Sequence, residues 1–313
     1  MPPRIAVFTK NRTNPAYAAA RLGADRTAAR LGAQTRHYVP DKPDDVDEQI
    51  ALIAHAVAER PDAAVFVPVH ATAVNPAVVQ FDAAGIPVFN IITPTTAGRR
   101  ITFVGSDDRA LARDVACHLF ETLSGRGEIV VVEGTPASAT SHARVAGFRD
   151  ALADHPGIAV RLSLAGAYQR DVAREAYRAA AARCRGADAI LCANDVMALG
   201  VLEAIEVEPP AHRRPLVVGV NAIPEAVEAV AAGRMLATAN FDAMAMSEIA
   251  TEAALRHLRG DVVPAEILLP VEVIHAGNCA AWNRPFAARP SPDWDAVVAA
   301  ADGGPRRSPA PTR

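Results

Sequence analysis

Short apolar runs of strand length alternate with longer segments of helical spacing over most of this 313-residue chain, and that alternation constrains its fold more than any other feature. IAVFT at 5–9, TRHYV at 35–39, AAVFVPV at 63–69, IPVFNII at 86–92 and ITFVGS at 101–106 read as strands. Strands that alternate with helices lie parallel, and a parallel sheet is covered on both faces, so its strands need no polar face. Local punctuation agrees with this reading. Asn14 stands as an N-cap, Pro15 at the first helical position and Gly32 just past the end of the first helix, while Pro61 stops a helix over 46–60.

A second series starts at Asp107, a candidate cap for a helix over 107–123. Strands are predicted at 128–134, 158–164, 187–193, 216–220 and 235–240. Helices are predicted at 141–154, at 171–183, from 195, at 224–232 and after 243, and a last strand at 267–274. The expectation is an α/β chain with two doubly wound, Rossmann-like parallel-sheet domains, for which the length is sufficient. Beyond about Pro285 the composition turns to RPSPDW and DGGPRRSPAPTR, and residues 286–313 are expected to be a disordered tail.

Several functions are disfavoured by what the chain lacks. Its 35 acidic and 32 basic residues leave a net charge of −3, with no basic stripe, so no nucleic acid is expected as a partner. No apolar run reaches membrane-spanning length. The four cysteines, Cys117, Cys184, Cys192 and Cys279, form no CxxC pair, which argues against a metal site; Cys184 and Cys192 are candidates for burial or for proximity. GxGxxG after the first strand, GxxxxGK[ST], GxSxG and HExxH are all absent, so no cofactor, metal or catalytic residue is expected and the chain does not read as an enzyme.

In doubly wound sheets ligands bind beyond the carboxyl ends of the strands. Here those positions are polar: Lys10 and Asn14 with Tyr17 after the first strand, Thr93 and Thr95 after the fourth, Asn194 and Asp195 after ILCA, and Asn221 after LVVGV. Amides, a cation and an aromatic face suit a small polyhydroxylated ligand. Each such residue alone is also a common helix cap.

The strings TNPAYAAARLGADRTAARLGA at 13–33, AAGIPVFNI at 83–91, VEGTPASATSHARVAGFRDAL at 132–152, ILCANDVMALGVLEAI at 190–205 and VVGVNAIPEAVEAVAAGRMLAT at 217–238 carry a resemblance that covers nearly all of residues 4–280. They resemble the ribose-binding-protein-like group of type I periplasmic binding proteins, to which the effector domains of LacI-type repressors are related. The resemblance implies two α/β domains joined by three crossovers, one holding 1–105 and 239–265, the other 106–238 and 266–285. It implies closure on a small carbohydrate or polyol in the interdomain cleft, by a monomer that docks on the membrane permease of an ABC importer.

Residue by residue, the resemblance places Asn14, Tyr17, Tyr168, Asn194 and Asn221 at ligand positions, and Lys10 where arabinose binders carry lysine. The Asp-Arg pair that ends the fourth strand in ribose binders is replaced by Ile92 and Thr93. His142 stands where that group has a pocket arginine, Arg144 keeps the neighbouring one, Ala16 replaces a stacking aromatic, and Phe241 or Asn240 replaces a late glutamine. Those departures disfavour ribose and point to a polyol, a deoxy or branched sugar, or a ligand with one negative group, with His142 a candidate for pH-dependent binding. Nothing with the pattern of a secretory leader precedes the first strand at MPPRIAVFT, which leaves open a periplasmic protein whose leader lies outside this sequence and a cytoplasmic one. The alternative function is a ligand sensor that feeds a separate regulator or kinase, since a LacI-type helix-turn-helix finds no room here.

Overall fold

The computed structural model describes residues 1–136, 138–207 and 214–303. Two six-stranded sheets account for all strands among the described residues. The first has the order β11-β5-β4-β3-β1-β2, from β1 (Arg4–Phe8), β2 (Gln34–Tyr38), β3 (Ala63–Phe66), β4 (Val88–Ile91), β5 (Arg100–Gly105) and β11 (Glu266–Leu268). The second has the order β12-β10-β9-β8-β6-β7, from β6 (Gly127–Glu133), β7 (Ile158–Ala165), β8 (Ala189–Cys192), β9 (Leu216–Val220), β10 (Ala237–Ala239) and β12 (Val273–His275). Every pairing is parallel except β10 with β12. This is the doubly wound α/β architecture that the alternation requires.

Helices α1 (Pro15–Leu31), α2 (Val46–Glu59), α3 (Asn75–Ala83) and α10 (Ala243–Leu258) cover the first sheet. Helices α4 (Asp108–Thr122), α5 (Ala139–Asp154), α6 (Arg170–Ala179), α7 (Ala181–Cys184), α8 (Asp195–Glu206) and α9 (Pro224–Ala231) belong to the second. In β1 the residues Ala6 and Phe8 join a core with Ile53 of α2 and Phe81 of α3, while Ile5 and Val7 face the opposite layer with Ala20 of α1. Three helix pairs meet at glycine. A Cβ on Gly23 would lie 2.4 Å from Met244 O, one on Gly147 2.2 Å from Arg109 O, and one on Gly200 2.2 Å from Arg170 O. Those contacts seat α1 on α10, α5 on α4, and α8 on α6.

Three expectations are corrected. The strand read over 267–274 is two strands in different sheets, because Pro270 offers no N–H to a ladder and the chain passes from the first sheet to the second around it. Residues 266–268 therefore pair with β5 in the first sheet rather than joining the second. The helix read over 171–183 is α6 and α7, separated at Ala180. The tail is structured as far as it is described: α11 (Trp294–Gly303) packs on β11, and Arg289 and Trp294 are buried. Composition marked polarity there but missed its few anchoring aromatic residues; positions 304–313 of that expectation lie outside the described residues.

The second half is braced by a buried carboxylate. Asp195 opens α8 and accepts hydrogen bonds from Thr238 Oγ1 in β10 at 2.6 Å and from the backbone N of Ile223, before α9, at 2.9 Å. Burial pushes its acid up to about 6. The folded state thus holds this proton more tightly than the unfolded chain, so the contribution of Asp195 to stability falls as pH rises from about 4 to about 6. In urea unfolding, the stability of Asp195→Asn relative to wild type is expected to rise across that window, by up to about 3 kcal/mol, on top of a constant offset for the acceptor lost at Ile223. A difference that stays constant from pH 4 to 7 would contradict the assignment. Trp294→Ala is expected to cost about 3 kcal/mol in the same assay; no change would mean that the segment does not pack.

Candidate functional site

The carboxyl ends of the two sheets face a common cleft, lined by Lys10, Asn11, Asn14, Tyr17, Asp44, His70 and Ile92 from the first half and by Thr135, Ser138, Thr140, Arg144, Tyr168, Asn194, Asn221 and Phe241 from the second half and the crossover that follows it. Each lies beyond the carboxyl end of a strand, in the loop that follows it or in the first two turns of the next helix. Asn14 and Asn194 are N-caps of α1 and α8, accepting at Oδ1 from the backbone N of Ala16 and of Met197, both at 3.0 Å. Cap and lining roles therefore coexist in one amide. The oxygen closes the helix, and in Asn194 the buried Nδ2 has no hydrogen-bond partner among the described residues.

Charges at the site are desolvated. Lys10 is 5% exposed; its carbonyl accepts from the backbone N of Asp44 at 3.1 Å, and its ammonium makes no hydrogen bond or ion pair among the described residues. Burial lowers its pKa, opposed by the fields of Asp44 and Asp108. Asp44 has a raised pKa for the same first reason, opposed by Lys10 and by the hydrogen bond it accepts from Asn11 Nδ2 at 2.9 Å. Arg144 is tied down: Nε donates to Asp108 at 2.8 Å and Nη1 to Ala193 O at 2.7 Å, with its guanidinium 4.9 Å from the Phe241 ring centroid and 6.0 Å from that of Tyr168. His70 Nδ1 accepts from the backbone N of Thr72 and of Ala73, which leaves the proton on Nε2.

Backbone strain concentrates here. Of the eight non-glycine residues at positive φ among those described, Asp44, Ile92, Tyr168 and Asn221 line the cleft, at 59°, 66°, 58° and 127°. A β-branched residue such as Ile92 is a rare occupant of that region, and strain of this kind gathers at functional sites. The Tyr168 ring lies over Gly134, where an added Cβ would come within 2.2 Å of Tyr168 Cζ.

Eight of the ten residues singled out from the sequence meet in this cleft: Lys10, Asn14, Tyr17, Arg144, Tyr168, Asn194, Asn221 and Phe241. Two do not. His142 is exposed on α5, because two residues along a helix is 200° of rotation, and the face that turns Thr140 and Arg144 into the cleft turns His142 to solvent. Its suggested pH sensitivity falls with it. Thr93 is buried below the cleft, where its carbonyl accepts from Asn90 Nδ2 at 2.9 Å. The sequence reading missed Asn11, Asp44, His70, Thr135, Ser138 and Thr140. Asp44 and His70 follow β2 and β3, so applying the strand-end rule to all strands equally would have found them.

The arrangement offers hydrogen-bond donors, acceptors and aromatic faces. Among the described residues no group of His, Cys, Asp and Glu is placed to hold a metal ion, and the cysteines are free thiols.

Residues 5–261 match the periplasmic binding protein domain family. The chain is 28% identical over 287 residues to a D-ribose/D-allose-binding protein of Pseudomonas aeruginosa, covering 88% of this chain and 89% of that one. An ABC transporter periplasmic solute binding protein from Actinobacillus succinogenes 130z with bound D-allose superposes with a TM-score of 0.84 at 26% identity, covering 89% of this chain and 99% of that one. A Caulobacter myo-inositol binding protein bound to myo-inositol superposes with a TM-score of 0.81 at 25% identity, covering 88% and 94%.

Proposed function

The chain belongs to the periplasmic binding protein domain family, whose members are substrate-binding proteins rather than enzymes, and from that premise we propose that it binds a neutral small carbohydrate or polyol in the cleft. The halves close on the ligand, and the closed form delivers it to the permease of an ABC importer outside the cytoplasm. The observation that carries this reading is the set of polar groups, without hydrogen-bond partners among the described residues, that the two walls turn on one cleft: the ammonium of Lys10, a residue 5% exposed, from the first half, and the buried Asn194 Nδ2 and Asn221 Oδ1 from the second. A ring of hydroxyls accepts from the first two and donates to the third.

Charge supports neutrality. Arg144 is matched by Asp108 and Lys10 by Asp44, so a carboxylate on the ligand would meet Asp44 as well as Lys10. D-allose and myo-inositol, held by the two solved relatives, are both neutral polyhydroxylated rings. Ile92 and Thr93, where the resemblance puts a charged pair in ribose binders, support a ligand other than ribose.

Calorimetry against D-allose, D-ribose, myo-inositol, glycerol and an aldonic acid tests this directly. At least one neutral compound is expected to bind, and the acid at least about tenfold more weakly; binding of the acid alone would contradict the charge argument. Asn194→Ser keeps an oxygen for the α8 cap and removes Nδ2. Asn221→Gly removes the amide and relieves the backbone at φ 127°. Each is expected to weaken binding by about 1 kcal/mol or more, roughly fivefold, with melting temperature little changed for the serine variant and unchanged or raised for the glycine variant. Full affinity in both would remove the ligand from this cleft.

A further inference from the structure

The C-terminal segment is anchored at both ends, in different halves. A single turn over Cys279–Ala281 packs against α9 in the second half, and α11 lies on β11 in the first. Arg289 sits where the segment crosses between them. Its side chain is 4% exposed, and Nη2 donates to Ala222 O at 2.7 Å and to Trp282 O at 3.3 Å. The guanidinium lies 4.7 Å from the Phe286 ring centroid and 5.4 Å from that of Trp282. The carbonyl of the same residue accepts from Arg26 Nη1 of α1 at 2.9 Å. Arg26 also holds Ser291 and, at 2.6 Å, Glu248 of α10, while Arg256 of α10 stacks 4.8 Å from the Trp294 ring. One residue thus grips the second half with its side chain and the first half with its main chain.

What it grips bears on the cleft. Ala222 follows Asn221, and both occupy positive φ, at 50° and 127°, so the loop that presents Asn221 is strained and needs its outer side held. Arg26 lies on the helix whose N-terminus carries Asn14 and Tyr17. The segment therefore links, behind the cleft, the element bearing first-half ligand positions to the loop bearing a second-half one.

We infer that residues 285–303 form a strap across the hinge, a fourth connection beside the three crossovers, in which Arg289 is the positioning residue for the Asn221 loop and limits how far the halves separate. It rests on the hinge motion of the reading above but not on the identity of the ligand. A hinge of three crossovers alone leaves the opening angle to solvent and thermal motion; a buried side chain fixed in both halves must break contacts for the angle to widen.

Pulsed electron–electron distance measurement without ligand reads this. Nitroxides are placed at Val79 on α3 and Val172 on α6, which are 45% and 38% exposed, in a chain with Cys117→Ser. The otherwise unaltered chain is expected to give one narrow interhalf distribution, and Arg289→Ala a distribution at least twice as wide, with far-UV circular dichroism retained. Trp294→Ala loosens the other anchor and leaves the Arg289 contacts to Ala222 in place; it is expected to broaden the distribution too, and it decides the matter if Arg289→Ala does not fold. A distribution as narrow in the folded variants as in the unaltered chain overturns the strap. Failure of every sugar in calorimetry would count against the ligand reading and leaves this measurement unaffected.

Discussion

At the carboxyl end of a parallel strand the chain must enter a helix, and the first turn of that helix has backbone N–H groups with no partner inside it. Five helices among the described residues of this molecule meet that requirement with a side chain. Asn14, Asp45, Asp107, Asn194 and Asp242 each close a helix start with a side-chain oxygen. Because the two sheets turn their carboxyl ends toward one another, two of these caps, Asn14 and Asn194, also line the cleft. An amide suits both tasks, since its oxygen can cap while its nitrogen remains available to a ligand.

Burial then sets the chemistry of the lining. Lys10 and Asp44 are both pushed toward their neutral forms and both hold back from that by sensing one another, which balances the cleft without closing it. Arg144 is fixed by Asp108, by the Ala193 carbonyl and by the Phe241 face, so it stands as a wall of constant charge and shape. Asp195, beside Asn194, does not line the cleft. Its bonds to Thr238 and Ile223 hold together the strand and helix ends between which Asn221 is presented.

Much of this was legible in the residues. Periodicity reported the layers, and Asn14, Pro15 and Gly32 marked the bounds of α1 to within a residue. Eight cleft positions followed from strand ends and from the resemblance together. The failures have separate physical causes. The resemblance puts His142 at a pocket position, but helical rotation takes it to solvent. Asp44 follows β2 and lies outside the strings that carry the resemblance, so only the strand-end rule, applied to every strand, reaches it. Composition misjudges the C-terminal segment because it averages over residues, whereas a few of them, among them Arg289 and Trp294 with their aromatic or cationic partners, dock it.

The central claim is that one ligand is held by both walls at once, Lys10 and Asn14 on one side and Asn194 and Asn221 on the other, so binding must draw the halves together. Small-angle X-ray scattering with and without a saturating neutral ligand from the calorimetric panel measures this most directly. The account predicts a smaller radius of gyration in the bound state. Saturation with no compaction would contradict it, by showing that the ligand is held by one wall alone.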